Sequence, residues 1–404
     1  MIGARLQVRR EVLGFSPANP TGMNGIGPSL LALAVILTAA TLNLPQAAGL
    51  HAPRGLHIEI IAKIPAGARE LAFLPGGDLV AGTDGDAVYV VPNADGAGLP
   101  GSARQFARFD DEPAAGVALG SEVLYVGTQF AVYRVGYGRS GGVPSLIARV
   151  RSRADRGDDN HRTTSVALSK GVLYASSGST CDACTETNPL RATIQQMNPD
   201  GSNMRAKAVR FRNAIALAVN PATGSLWAGG AGQDALPQGH PYEFIDNVSA
   251  HSGVADYGWP ACEENRHAYR AGADCAKAVE PRVSFPAYAT LIGAAFYPSK
   301  PHGMYALPAR YAGGLFVTLH GSWHTKNGCT VAPLVAFVPM NGDEPVISAN
   351  WGNPSAQWSP FITGFQPGCS AGSRIGRPTG VAVGPQGDLF VGDDLTGYIY
   401  RIRP

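Results

Sequence analysis

One pattern recurs six times along the chain: an apolar strand, a turn containing Gly or Pro, and a second apolar strand. The copies are Leu71-Ala-Phe-Leu-Pro-Gly-Gly-Asp-Leu-Val-Ala-Gly, Val117-Ala-Leu-Gly-Ser-Glu-Val-Leu-Tyr-Val-Gly, Val166-Ala-Leu-Ser-Lys-Gly-Val-Leu-Tyr-Ala-Ser, Leu217-Ala-Val-Asn-Pro-Ala-Thr-Gly-Ser-Leu-Trp-Ala-Gly, Ala294-Ala-Phe-Tyr-Pro and Val381-Ala-Val-Gly-Pro-Gln-Gly-Asp-Leu-Phe-Val-Gly. Their first residues lie 46, 49, 51, 77 and 87 positions apart. The fifth copy is imperfect, with its second strand displaced to Leu315-Phe-Val. Such a unit cannot bury its apolar surface alone, so neighbouring copies must stack. Short strands repeating at roughly 40–50 residues, without helical periodicity between them, are the pattern of propeller blades. Third strands follow in Ala87-Val-Tyr-Val-Val, Ala131-Val-Tyr-Arg-Val and Tyr398-Ile-Tyr-Arg-Ile, whose polar positions alternate as in a half-buried strand. The expected fold is all-β: a six-bladed β-propeller of four-stranded antiparallel blades.

Composition agrees with a turn-rich β body. Gly 51 and Pro 31 of 404 residues exceed the usual share, yet 45% hydrophobic content suffices for a core. Length suggests two or three domains, but propellers commonly exceed that prior as single units. One domain over 51–404 is expected. The two long intervals mark insertions of about 30–40 residues, which in repeat folds map to loops on one face.

Residues 1–50 are assigned to export. Ser29 to Leu44 are apolar, end at Pro45 and precede the small residues Ala47-Ala48-Gly49. A spanning helix wants about 20 residues, so a cleaved signal peptide fits better than a retained membrane anchor, and a buried core helix fits least. Arg9-Arg10 resembles a twin-arginine signal but stands far from the apolar run, and Met23 is an alternative start. Periplasmic or extracellular location follows, with residues 29–44 as the anchor if they are kept. Six cysteines fit an oxidising compartment and divide by proximity into Cys181/Cys184, Cys262/Cys275 and Cys329/Cys369, three expected disulfides. Cys181-x-x-Cys184 lacks the following His of a c-type haem, the second ligand pair of a zinc site and the βαβ setting of a thioredoxin, which leaves a structural clip.

The balance of 32 basic against 30 acidic residues, without a basic cluster, argues against a nucleic-acid partner. Zinc HExxH and Walker motifs are absent from the sequence, and it offers neither a GxSxG nucleophile elbow nor a credible GxGxxG followed by a helix. What remains is polar residues at the blade edges. His161 precedes the third repeat, Arg212-Asn213 the fourth and Arg377 the sixth, while His320 is placed at the end of the fifth blade's inner strand. Equivalent positions of a propeller converge at one end of the channel. A pocket gathering Arg and His suits a polyanionic ligand together with a proton acceptor.

The strings Gly178-Ser-Thr-Cys-Asp-Ala-Cys, Arg191-Ala-Thr-Ile with Met197-Asn-Pro-Asp-Gly, Arg212-Asn213, Asp256-Tyr-Gly-Trp-Pro, Leu319-His-Gly-Ser-Trp and Gly376-Arg-Pro-Thr-Gly-Val occur in this order. Over residues 55 to 404 the chain resembles the glucose/sorbosone dehydrogenase family, six-bladed propellers that use pyrroloquinoline quinone (PQQ), and most closely its sorbosone dehydrogenase-like branch. The resemblance implies that His161 is the general base for the sugar's anomeric hydroxyl, with hydride passing to the quinone. It implies that Arg212, Asn213, His320 and Arg377 bind the cofactor, His320 standing where the glucose enzymes place a lysine on it. It further implies a calcium ion held by main-chain carbonyls, at positions corresponding to Gly232 and Gln233, and electron transfer to a quinone or soluble acceptor. Oxygen ligands of that kind suit a hard cation.

Thr164 and Thr325 stand where the sorbosone-like members usually carry arginine, and Ala115 where they carry a histidine. Weaker anion anchoring is the expectation, and a non-catalytic propeller that binds a glycan or a protein is the alternative function. Tyr257, Trp259 and Trp323 are candidate sugar platforms, with core packing the expected role of Trp259.

Overall fold

The computed structural model describes residues 44–96, 98–138, 142–152 and 161–404. The apolar stretch from Ser29 falls outside these residues except for Leu44. Each sequence repeat forms the first two strands of a four-stranded antiparallel sheet, and the first strands of the six sheets are neighbours around a ring. The innermost strands are Ala68–Phe73, Gly116–Leu119, Val166–Ser169, Ala214–Val219, Leu291–Phe296 and Pro378–Val383. The expected third strands also hold: Ala87–Val91, Ala131–Gly136 and Tyr398–Arg403 occupy that place in blades one, two and six. No helix among the described residues is long and apolar enough to cross a membrane.

Six apolar clusters fill the gaps between neighbouring blades among the described residues. Each blade is therefore sandwiched. Its second strand is buried on both faces, as in Leu79–Thr83, Leu226–Gly230 and Leu315–Leu319, and reads as a continuous apolar run. Outermost strands such as Arg104–Arg108 carry exposed charge along their free edge, which protects it from further pairing.

Ring closure joins the two ends of the domain. His57–Lys63 pairs antiparallel with Tyr398–Arg403 as the outer strand of blade six. Glu59 faces Arg401 in register, and its carboxylate accepts from Arg401 Nη2 at 2.7 Å and from Arg403 Nη2 at 2.6 Å. Burial would raise this carboxyl, but the bonds from Arg403 and Arg401 hold it below its ordinary value.

The inner hairpins of blades one, four, five and six each contain a β-bulge at the start of the innermost strand. A bulge inserts one residue and re-aims its neighbours. It turns Arg69, Ile215 and Ile292 into the channel.

The long intervals are insertions, as expected. Residues 248–282 leave blade four, run Ala255–Asp256 parallel to Arg205–Val209 of blade three, and carry the Cys262–Cys275 disulfide. Cys329–Cys369 ties a loop of blade five to the connection into blade six, and Cys181–Cys184 closes a loop of blade three. All three pairings follow the proximity reading.

Two variants test these interactions. Glu59→Gln should cost about 3 kcal/mol, the range for breaking a buried ion pair, read as a lower urea midpoint at unchanged slope. Asp388 is fully buried, and neither carboxylate oxygen has a hydrogen-bond donor among the described residues. Its counterpart in blade one, Asp78, accepts from the Asn93 N–H at 3.0 Å, but strand register puts Pro404, which has no N–H, in that place in blade six. Burial pushes Asp388 up to about 7. The folded state then binds more protons than the unfolded one from about pH 4 to 7, so stability falls across that window as pH rises. Asp388→Asn should raise the urea midpoint at pH 8, with the gain shrinking toward pH 5.

Candidate functional site

A cavity of about 360 Å³ opens at one end of the channel. Its wall includes Arg69, His161, Arg212, Asn213, Arg374 and Arg377, contributed by four blades and the connection into blade six. His161, Arg212-Asn213 and Arg377 come together as the sequence pattern requires, because each stands at or just before the start of an innermost strand.

His161 is half-buried and oriented by blade three. Its Nδ1 lies 3.1 Å from the Ser179 carbonyl oxygen and 2.9 Å from Ser179 Oγ, which donates to the Cys181 carbonyl at 2.7 Å. A carbonyl only accepts, so the neutral ring carries its proton on Nδ1 and Nε2 is the basic nitrogen. Arg151, buried at the end of blade two, donates to the carbonyl oxygens of His161 at 2.6 Å and Thr163 at 3.1 Å and fixes the backbone beneath the ring.

The four guanidinium groups divide into two kinds. Arg69 meets Asp394 at 2.8 Å, and Arg212 meets Asp182 at 2.8 Å and Asp234 at 2.9 Å. Arg374 and Arg377 instead donate to carbonyl and amide oxygens: Arg374 to Ser322, Val331 and Gln366, and Arg377 to the carbonyls of His320 and Gly321. Burial pushes both down; at Arg377 the negative charge of Asp394 opposes this, and the neighbouring positive charges of Arg374 and Arg69 add to it. An anion entering the cavity would relieve that strain. Asn213 is buried, and its Oδ1 has no hydrogen-bond donor among the described residues. The cavity thus presents cationic and amide groups that the protein itself leaves unmatched.

His320 follows Leu315–Leu319, the second strand of blade five, and not the innermost strand as expected. Its buried ring lies behind the wall with Nε2 2.9 Å from Asp394. Burial pushes His320 down despite Asp394, so the neutral ring donates Nε2–H to a carboxylate that Arg69 also holds, and Asp394 stays well below the usual carboxylate range.

Gly232 and Gln233 lie between the cavity residues Ala231 and Asp234. The Gln233 side chain is committed to Pro260 O and Glu263, but the Gly232 and Gln233 carbonyl oxygens accept no hydrogen bond among the described residues. Burial pushes the nearby carboxyls of Glu243 and Glu263 up to about 8 and about 7. Oxygen donors beside high-lying carboxyls fit a hard divalent cation, which would stabilise their ionised forms. The one metal-like cluster among the described residues, Cys181, Cys184 and Glu186, has its sulfurs in a disulfide.

Tyr257 and Trp259 are core residues, with the indole N–H of Trp259 bonded to Asp182 O at 3.0 Å. Trp323 remains at the cavity wall with 72% of its surface exposed, stacked 3.8 Å from His324, which stacks 4.0 Å from Tyr288. Arg69, Arg374 and Ser179 escape sequence reading. Arg69 is aimed by a bulge, Arg374 lies in an irregular connection, and Ser179 looks like one more small polar residue. Thr164 is buried and Arg162 exposed, so neither supplies the charge expected after His161; Arg69 and Arg374 supply it from elsewhere.

The TrAA12-like family model matches residues 246–404. No curated protein matches the chain in sequence. Among solved structures, the holo PQQ domain of pyranose dehydrogenase from Coprinopsis cinerea is similar at TM-score 0.74 and 16% identity, covering 90% of this chain and 99% of that one. A family AA12 carbohydrate-active enzyme of Trichoderma reesei gives TM-score 0.72 and 18% identity, with 90% and 99% covered. The PQQ-bound aldose sugar dehydrogenase of Streptomyces coelicolor gives TM-score 0.59 and 17% identity, with 87% and 99% covered. At these identities the likeness is one of fold, and it agrees with the six-bladed ring.

Gly178 sets how closely two site residues approach. A Cβ there would lie 2.5 Å from Asn213 Oδ1 and 2.6 Å from His161 Cβ. Gly178→Ala should therefore cost about 1–3 kcal/mol by overpacking and shift the His161 ring resonances. Gly136→Ala, where an added Cβ meets nothing within 4 Å, should leave those resonances in place.

Proposed function

We propose that this chain is a PQQ-dependent sugar dehydrogenase working in an oxidising, extracytoplasmic compartment. The observation that carries this reading is the cavity itself, where a histidine with its basic nitrogen defined stands beside the guanidinium groups of Arg374 and Arg377, which form no ion pair among the described residues. The three disulfides support the compartment. The PQQ-containing relatives of the same fold support the cofactor.

Arg377 and Arg374 hold the cofactor's carboxylates, since a guanidinium stays charged and matches a carboxylate bidentately. Arg212 and Asn213 contact its oxygens from blade four, and His320 keeps the Arg69–Asp394 pair in place behind them. The main-chain carbonyls of Gly232 and Gln233 hold calcium. When bound, PQQ supplies the hydride acceptor that no protein side chain offers. His161 Nε2 takes the proton from the anomeric hydroxyl of an aldose, or from the hydrated carbonyl of a sorbosone-type aldehyde, as that carbon loses hydride. Exposed Trp323 gives the sugar ring an apolar face on which to rest. Electrons leave to a quinone or a soluble acceptor.

Purified protein mixed with PQQ and calcium should reduce an electron-accepting dye in the presence of aldoses, and calcium chelation before mixing should weaken PQQ uptake. His161→Ala should abolish turnover with PQQ affinity nearly unchanged. Arg377→Ala should weaken PQQ binding about ten- to a hundredfold, the loss of one charge-assisted hydrogen bond. Glycan binding without PQQ uptake would favour a non-catalytic propeller instead.

A further inference from the structure

His161 and Arg212 belong to different blades, yet one short loop holds both. Ser179 O and Oγ contact His161 Nδ1, and the Ser179 N–H donates to Arg212 O at 2.8 Å. Arg191 Nη2 donates to Ser179 O at 2.8 Å. Asp182 O accepts from Arg212 Nε at 3.1 Å, while Asp182 Oδ1 accepts from Arg212 Nη2 at 2.8 Å and from the Asp234 N–H at 2.7 Å. Thr180 is pinned by the Glu186 carboxylate through its N–H at 2.6 Å and its hydroxyl at 2.9 Å. The Cys181–Cys184 disulfide closes the loop between these contacts.

The segment 178–192 contains no regular secondary structure, so its geometry rests on these bonds and the cross-link. Without the disulfide, the backbone entropy lost in ordering the loop would have to be offset by these hydrogen bonds alone. The Ser179 hydroxyl bonds to the carbonyl of Cys181 itself, so movement of that cysteine reaches His161 through a single residue. We infer that the disulfide-closed loop 179–184 is a positioning element, which sets the protonated nitrogen of His161 through Ser179 and the aim of the Arg212 guanidinium through Asp182. This role differs from a stability clip. It rests on the function proposed above for its effects on PQQ affinity and turnover, whereas the tautomer is read in cofactor-free protein.

The test uses the full chain with Cys181→Ala/Cys184→Ala, which changes no charge, and with Ser179→Ala. Nitrogen-15 NMR of the His161 ring in cofactor-free protein reports the tautomer, and fluorescence titration reports PQQ affinity. In wild type the ring should show Nδ1–H. Ser179→Ala keeps the carbonyl that accepts from Nδ1 and removes the hydroxyl tie to Cys181, so Nδ1–H should persist with shifted ring resonances and PQQ affinity within about threefold of wild type. The double cysteine variant, folded by circular dichroism, should show a mixture of tautomers as the Ser179 carbonyl shifts, and bind PQQ about tenfold more weakly, with kcat falling more than KM changes. A folded double variant with wild-type tautomer and affinity would overturn the inference. Should the double variant not fold, His161 ring resonances unshifted from wild type in Ser179→Ala overturn it equally. If His161→Ala keeps turnover, the base assignment fails, while tautomer and affinity still decide the role of the loop.

Discussion

The structure depends on closing the ring. Each blade buries its two faces against two neighbours, so a missing junction would expose an apolar face on both sides of the gap. Pairing of His57–Lys63 with Tyr398–Arg403 makes that last junction, and Glu59 between Arg401 and Arg403 fixes its register. A one-residue slip would turn the Glu59 carboxylate away from Arg401 and reverse which side chains face the core. The channel keeps its width only while this seam holds, and the cavity at its mouth is assembled from blades far apart in sequence.

Within that frame the cavity concentrates positive charge that the chain as a whole does not show. Arg69 and Arg212 are matched by Asp394, Asp182 and Asp234, and so serve partly as fixed structure. Among the described residues Arg374 and Arg377 donate to neutral oxygens, and Arg377 feels Asp394 without forming an ion pair with it. On the proposed reading, this division lets a chain with Thr164 and Thr325 in place of arginines still offer an anion site. The charge is supplied by different residues from different directions.

Much of the ring was legible in the sequence because hydrophobic repeats report burial directly. Strands such as Leu226–Gly230 are apolar because both their faces are covered, and the spacing of such runs counts the blades. His161, Arg212, Asn213 and Arg377 were legible because they stand at fixed offsets from those runs. Bulges are not legible in this way. One extra residue in Ala68–Phe73 turns Arg69 into the channel without changing the apolar pattern around it. Arg374 sits in a connection with no periodicity, brought to the cavity by bonds to Ser322, Val331 and Gln366. His320 was found but assigned to the wrong strand, because the imperfect fifth repeat separates its two strands by a long turn. The loop around Cys181 carried a recognisable motif, but its hold on two site residues emerges only from hydrogen bonds.

The central claim is that one end of the ring receives an anionic quinone on Arg374 and Arg377 beside His161. A crystal structure of the protein soaked with PQQ and calcium tests it most directly. Cofactor carboxylate oxygens should lie about 2.7–2.9 Å from guanidinium nitrogens of Arg374 and Arg377, with the His161 ring bordering the reacting face. Cofactor bound elsewhere on the ring, or a cavity still empty at saturating PQQ, would contradict the account.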